Sequence, residues 1–476
     1  MSILGSLNED VVFYFEKRFH TISWEDVYVE FYYTTDDCQK DGNIDVSANS
    51  NASSRSIDKF VHYPKANEAS FSSIIIHTLD RASRYLSDSN RCWITFRWFF
   101  RKPRSWQRIC DEIVSEPIAF DRIELVKNVP FFRSRLPGNF RLRELAHDIK
   151  VQDTIDSVEI WIRRKNEKYL RVAAVLSKKT GCLDSFKNAD GMELLTEPLL
   201  PNFTRAATDN DRGGIDRILG LMPTWVAWHI RLVENIVFKY SYIYRWSKYL
   251  CPDKPPIPKC TNVQSLKVSQ NAVIIQCDID IVAEEKMIFQ MKIIYNFRSD
   301  GCVNLTVNVD PLQGAFHRNI PSFPRIGFHF TADETLNNIL YLGLGDNENY
   351  QDRKAGSELG LWSNCEGYDY IVPSENGCRS DCSWLSLRNK ALKGFLIAAC
   401  NDDKGRHTFD FSALLHNQQE LHQASHTHKL EPRQIGRDNL FINIDLHSMG
   451  VGGDVSGSPC VYDKYLLKPD KIYEGR

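Results

Sequence analysis

Carboxylates are the most conspicuous chemistry-bearing residues of the chain. They occur as close pairs, Asp209 with Asp211 and Asp346 with Glu348, and again at Asp454. Two carboxyl groups flanking a sugar can cleave a glycosidic bond: one protonates the leaving oxygen while the other attacks the anomeric carbon or activates water. The separation this requires, about 5–5.5 Å for retention or about 6.5–9.5 Å for inversion, cannot be read from residue spacing. Histidines are a second candidate. On a strand, His426 and His428 would share one face and could hold a metal, with His422 four residues earlier. Gln423, Ala424 and Ser425 add no acidic or thiol ligand, so polar pairing on a sheet is the favoured reading. Cys378 and Cys382 form a close pair, but no second pair or flanking His completes a zinc tetrad. There is no Gly-x-Ser-x-Gly elbow and no phosphate loop ending in Gly-Lys-Ser/Thr. Gly343-Leu344-Gly345 and Gly450-Val451-Gly452-Gly453 follow strands without opening a helix, so both read as turns.

The elements that must position these residues are strands. Period-two alternation of β-branched and aromatic residues marks Glu9–Phe15, Val27–Tyr33, Arg91–Phe99, Ser157–Ile162, Tyr169–Leu176, Leu266–Ile281, Phe289–Phe297, Val303–Val309 and Phe441–Leu446. Two stretches read as helices, about Ile74–Tyr85 and the aromatic-rich Arg217–Leu250. Residues 34–58 are rich in Asp, Asn and Ser and read as a disordered insertion. Neither repeats nor a regular strand–helix alternation appears, so the chain is expected to be all-β, in at least two pieces. Apolar residues make up 42% and charged residues 25%, which excludes a fibrous or wholly disordered chain. Lys plus Arg (59) nearly balances Asp plus Glu (61), which gives no electrostatic footprint for nucleic acid or an acidic membrane. The first residues lack the basic and apolar regions of a secretory signal, and no apolar run reaches 18 residues, so a cytoplasmic protein with thirteen reduced cysteines is expected.

Five long strings carry a resemblance. They are PNFTRAATDNDRGG (201–214), LGLGDNENYQDRKAGSELGLW (342–362), VPSENGCRSD (372–381), SHTH (425–428) and MGVGGDVSGSPCV (449–461). In order and spacing they are similar to motifs of the β-galactosidases of glycoside hydrolase family 2; the first resembles that family's "N-F-x-R-A-P-T-D-N-D" segment. The stretch KKTGCLDSFKNADGMELL (178–195) looks like the opening of the family's C-terminal domain. Further upstream, FYFEKRFHTISWEDVYVEFYY (13–33) and the region 91–115 look like strands of the domain before it.

The resemblance implies an all-β chain: an immunoglobulin-like sandwich over 1–153, then a large antiparallel supersandwich related to galactose mutarotase over 154–476. It implies a role in hydrolysis of terminal β-D-galactose residues. The family's two glutamates lie in a (β/α)8 barrel of roughly 250 residues, which the motifs here do not include. The isolated chain is therefore expected to be inactive, to need a barrel-bearing partner or region, and to hold no catalytic residue, cofactor or metal of its own. A divalent or sodium ion would belong to the barrel. The alternative is a non-catalytic carbohydrate-binding or scaffold protein derived from such an enzyme. In the family this domain completes the sugar pocket, so the residues implied near substrate are Asp209, Asn210, Asp211, Asp454, Ser456 and Gly457. Gly457 stands where the family motif "G-G-D-x-S-W" carries a Trp that stacks on sugar; without the ring, a contact of order 1 kcal/mol is lost. The resemblance also predicts fold-setting turns at Asn347-Glu348-Asn349-Tyr350 and Ser374-Glu375-Asn376-Gly377, and a departure from the family over 218–258.

Overall fold

The computed structural model describes residues 11–16, 27–35, 56–62, 71–76, 91–100, 112–121, 148–163, 169–188, 191–212, 250, 252–268, 272–299, 301–312, 322–345, 347–363, 370–391, 393–400, 408–433, 438–452 and 461–475. The described residues are mostly β, and their paired strands run antiparallel. It divides into two compact units, Met1–Arg141 with Ala355–Trp362, and Leu142–Lys354 with Ser363–Arg476.

In the first unit, four strands pair in the order Ser56–His62, Val27–Thr35, Arg91–Phe100, Glu112–Asp121. Tyr28 and Phe99 are cross-strand partners whose rings stack with centroids 5.2 Å apart, a pairing that aromatic residues favour on a pleated surface. Val11–Glu16 pairs separately with Phe71–Ile76. Here the sequence reading needs correction: Ile74–Ile76 is strand, not the start of a helix, and the rest of that stretch lies outside the described residues. Three consecutive isoleucines are stiff at χ1 and suit a strand better than a helix. Ser56–Asp58, expected at the end of the insertion, also belongs to a strand. The expected helix Arg217–Leu250 falls almost wholly outside the described residues.

In the second unit, one four-stranded sheet runs in the order Leu183–Phe186, Arg171–Ser177, Ser157–Arg163, Asp148–Asp153. A five-stranded sheet follows the order Ile257–Val268, Ala272–Ala283, Lys286–Arg298, Val303–Asp310, Tyr473–Gly475. Ala272–Ala283 alternates half-buried and buried without a break, which is why its period was legible. The expected single strand Leu266–Ile281 is instead the end of one strand and most of the next, folded back as a hairpin. A second five-stranded sheet has the order Leu200–Asn202, Arg325–Ala332, Leu440–Ser448, Phe409–Leu414, Arg379–Cys382. Trp384–Arg388 lies between Asn338–Gly345 and Gly394–Ala398 in another sheet. Gly343 and Gly345 are therefore the end of a strand and not a turn after one.

The core lies between the sheets. Phe203 packs edge-on to Phe289 at 4.8 Å, Phe289 edge-on to Phe323 at 5.3 Å, and Phe323 meets Tyr473 at 6.0 Å. This chain of rings joins the two five-stranded sheets. Phe203 ties it to the start of the loop that carries Asp209–Asp211.

Candidate functional site

Thr208, Asp209, Asn210 and Asp211 begin a one-turn helix, Asp209–Arg212, and the sequence caps it itself. The Asp211 amide donates to Thr208 Oγ1 at 3.2 Å, and the Thr208 amide donates to Asp211 Oδ2 at 2.9 Å. This is the reciprocal arrangement of a capping box, with Asp in the third helical position. Asp211 also takes both forks of Arg205: Nε donates to Oδ2 at 3.0 Å and Nη2 to Oδ1 at 2.7 Å. Both side chains are fully buried. Two more of the Arg205 donors go to the carbonyls of Met449 and Gly450, each at 3.1 Å. Burial works against its charge, but Asp211 and then Glu375 outweigh that, and the guanidinium stays above its usual range.

Asn210 continues the contact, its Nδ2 donating to the Val451 carbonyl at 2.8 Å. From the opposite side, Asp352 accepts the amides of Val451 (3.1 Å) and Gly452 (2.7 Å). A Cβ at Gly450 would fall 2.4 Å from Asp352 Oδ2, so glycine leaves this carboxylate its place against the stretch. Met449–Gly452 is thus clamped between the Asp209–Asp211 loop and Asp352. It leads directly into residues 453–460, which hold Asp454, Ser456 and Gly457 and lie outside the described residues.

A second buried polar cluster adjoins the first. Arg325 pairs with Glu375 at 2.5 Å, and its Nη1 lies 3.6 Å from Asp445 Oδ2. Burial pushes the Asp445 carboxyl up to about 7; Arg325 opposes this, while Glu375 and Asp410 add to it. Burial raises Asp410 as well, although Gln351 Nε2 donates to both its oxygens at 3.0 Å and the Asp381 amide to one at 3.1 Å. The Glu375 amide bonds the Ala206 carbonyl at 3.1 Å, which links this cluster to the Arg205 loop.

The residues expected near substrate thus have distinct places. Asn210 meets the Val451 carbonyl; Asp211 reaches the Met449–Gly452 stretch only through Arg205, which bonds the Met449 and Gly450 carbonyls; Asp209 opens the short helix. Asp454, Ser456 and Gly457, like the carboxylate Asp346, lie outside the described residues. Asp211 takes three donors on its two oxygens, two from Arg205 and one from the Thr208 amide. Glu348 is similar: it accepts from Arg353, from the Tyr370 hydroxyl and from the Gly377 amide. Asn349 accepts the Ser380 amide (2.8 Å) and donates to the carbonyls of Leu344 and Asn347. Asn376 donates to the Ser374 carbonyl at 2.8 Å. His426 and His428 do not flank a strand residue. Thr427–Lys429 is a single 3₁₀ turn in which the two imidazoles stack at 5.5 Å, and the described residues hold no metal-binding cluster. His422 instead accepts the Ala207 amide at 3.2 Å, bracing the Arg205 loop. Arg325, Asp410 and Asp445 fall in none of the quoted strings; their signal is a lone charge inside an apolar strand, as in Arg325-Ile-Gly-Phe, Phe409-Asp-Phe and Ile442-Asn-Ile-Asp. Asp352 stands in a turn within the 342–362 string, where spacing alone does not mark it.

Comparison with known proteins matches residues 168–475 to the family described as beta galactosidase small chain. A beta-galactosidase of Pseudoalteromonas haloplanktis is 30% identical over 298 residues, 62% of this chain and 24% of that protein. One from Lactococcus lactis is 30% identical over 334 residues, 68% of this chain and 29% of that protein. One from Klebsiella pneumoniae is 26% identical over 357 residues, 74% of this chain and 30% of that protein. The chain therefore spans 24–30% of the length of these relatives. With its RAATDND loop locked to the glycine stretch near the C-terminus, and with that match over residues 168–475, the chain belongs to the beta-galactosidase small chain family.

Proposed function

We propose that the chain acts as the C-terminal, small-chain portion of a β-galactosidase, serving hydrolysis of terminal non-reducing β-D-galactose residues beside a barrel-bearing subunit or region. The observation that carries this is the family match over 168–475, in which a buried Arg205–Asp211 pair and Asp352 hold the backbone leading to Asp454, Ser456 and Gly457. In this reading those residues, with Asp209 and Asn210, border the sugar pocket. The barrel-bearing partner supplies both glutamates and any ion, and the chain itself holds no cofactor. The immunoglobulin-like identity of 1–153, the mutarotase-like supersandwich of 154–476 and a cytoplasmic location belong to the same proposal. Among the described residues no helix is long and apolar enough to cross a membrane.

The test is to mix the purified chain with a β-galactosidase fragment that has the barrel but lacks its own C-terminal region. A nitrophenyl β-galactoside should not turn over with the chain alone; activity and co-elution should appear on mixing. Turnover by the chain alone, or mixing that gives neither activity nor co-elution, rejects the proposal. A second reading, a non-catalytic galactoside-binding or scaffold protein, is favoured by Gly457, which offers no ring face to a sugar. Gly457→Trp separates the two: in the mixed assembly, a restored stacking contact should lower KM about fivefold. In the second reading the substitution leaves galactoside binding to the chain unchanged.

A further inference from the structure

The buried cluster around Arg325 is less complete than the Arg205 clamp beside it, and the backbone explains which atoms it brings together. Arg325 faces Ser448 across neighbouring strands, and Gly327 faces Asp445. Arg325 and Gly327 are two residues apart, so they share one face of the sheet. The register shifts between Ile326 and Gly327, with Leu446 as the extra residue. Ser448 and Asp445 therefore reach that same face although they are three apart. Asp410, the partner of Asp445 on its other side, joins them there. Gly327 lets the Asp445 carboxyl lie close, since a Cβ there would fall 2.5 Å from its Oδ1.

The polar groups of this face are unequally served. Asp410 accepts from Gln351 and from the Asp381 amide, and Arg325 Nη2 donates to Glu375. Arg325 Nε and Nη1, Asp445 Oδ1 and Ser448 Oγ are buried, and none makes a hydrogen bond of good geometry with another described residue. Arg325 and Asp445 are themselves only 4% and 3% exposed, so bulk solvent does not reach them. Their atoms Nη1 and Oδ2 stand 3.6 Å apart, beyond bonding distance and in the range that a bridging molecule spans. Ser448 Oγ lies near enough to Asp445 and Asp410 to favour their ionised forms without bonding well to either. A buried donor or acceptor left without a partner bears its full desolvation penalty, and here four such atoms sit on three residues of one face.

We propose that Arg325, Asp445 and Ser448 hold a buried water molecule as a fixed part of the fold. It accepts from an Arg325 nitrogen, donates to Asp445 Oδ1 and takes Ser448 Oγ as its third partner, the usual number for an interior water. The surrounding charges select a neutral ligand. An anion would meet Asp445, Asp410 and Glu375 beside the one arginine, and a cation would meet the guanidinium. The ligand must also both donate and accept, which water does in the smallest volume. Water serves both states of Asp445 as well, donating to the carboxylate and accepting from the acid. Ser448 is the last residue of its strand, and Met449 and Gly450, which follow it, take the Arg205 donors. The water thus fastens the strand end from which the Met449–Gly452 stretch departs. None of this depends on the galactosidase reading.

The experiment crystallises the purified full chain from chloride and from bromide solutions, at a resolution that places waters. In both, one peak of water height should stand about 2.7–3.2 Å from an Arg325 nitrogen, from Asp445 Oδ1 and from Ser448 Oγ. No anomalous signal should appear there in bromide. A bromide signal means that the site takes an anion, and direct bonds among the three side chains with no peak between them mean that they satisfy one another; either result overturns the proposal. A solution measurement complements this. Magnetic relaxation dispersion of the water oxygen counts waters held in the interior, and Ser448→Val, which removes the hydroxyl and fills its place with methyl groups, should lower that count by one. An unchanged count in a variant with native circular dichroism also overturns the proposal. Should the variant misfold, the two crystal forms of the unsubstituted chain still decide.

Discussion

Arg205 and Asp211 form a fully buried ion pair whose bonds are all directed inward, and this determines what substitution does. Asp211→Asn keeps the shape but leaves a buried guanidinium without its counter-charge, which costs about 3–5 kcal/mol. The urea midpoint of the chain should fall accordingly, and Arg205→Lys should recover little of it because lysine lacks the bidentate fork. Asp445 gives the opposite kind of signature. Its folded value of about 7 lies above the ordinary carboxylate value, so the protonated form favours the fold. The associated stability is fully present below about pH 4 and is lost as pH rises through 7. The unfolding midpoint should therefore climb between pH 7.5 and pH 5.5, and Asp445→Asn should flatten that slope. The motif around Asp209–Asp211 was legible as a string; its role was not. Spacing cannot show that Arg205, six residues earlier, points into the protein and consumes the carboxylate.

At the level of elements, the hairpin joining Ala272–Ala283 to Lys286–Arg298 is informative. Ala283 pairs with Lys286, so Glu284 and Glu285 are its two turn residues, and both have positive φ, 48° and 64°. That is the backbone of a type I′ turn, where Asn-Gly is preferred and glutamate is strained. Glu285→Gly should stabilise the chain by about 1 kcal/mol, measurable as a raised denaturation midpoint. Gly181 shows the converse. Its φ is +72°, and a Cβ would sit 2.9 Å from Ile279, so Gly181→Ala should destabilise by about 1–3 kcal/mol. Sequence reading found the strands that are buried on one face, such as Ala272–Ala283. It missed Arg325–Ala332, Asn338–Gly345 and Phe409–Leu414, whose residues are buried almost throughout. A strand covered on both faces has no reason to alternate, so period two disappears where the core is thickest.

For the whole molecule, the all-β class was legible because the one-sided strands are long and numerous. The separation of the last glycine stretch from the Asp209 loop by some 240 residues hid the fact that they touch; only the order of the motifs hinted at it. The two five-stranded sheets share an aromatic core, so the 205–212 loop and the 449–452 stretch are fixed by the same packing that holds the fold. That sheet also ends in two very different edges. Tyr473–Gly475 is only three residues long, whereas Ile257–Val268 presents twelve, a length that could template pairing with another chain. Two register shifts interrupt it, at Cys260/Asn262 and Ser265/Lys267, and Pro258 withholds an amide near its start. Handled alone at high concentration, the chain would owe its resistance to fibril-like stacking to those two irregularities, and deleting Thr261 to straighten the edge should turn a dispersed protein into an aggregating one.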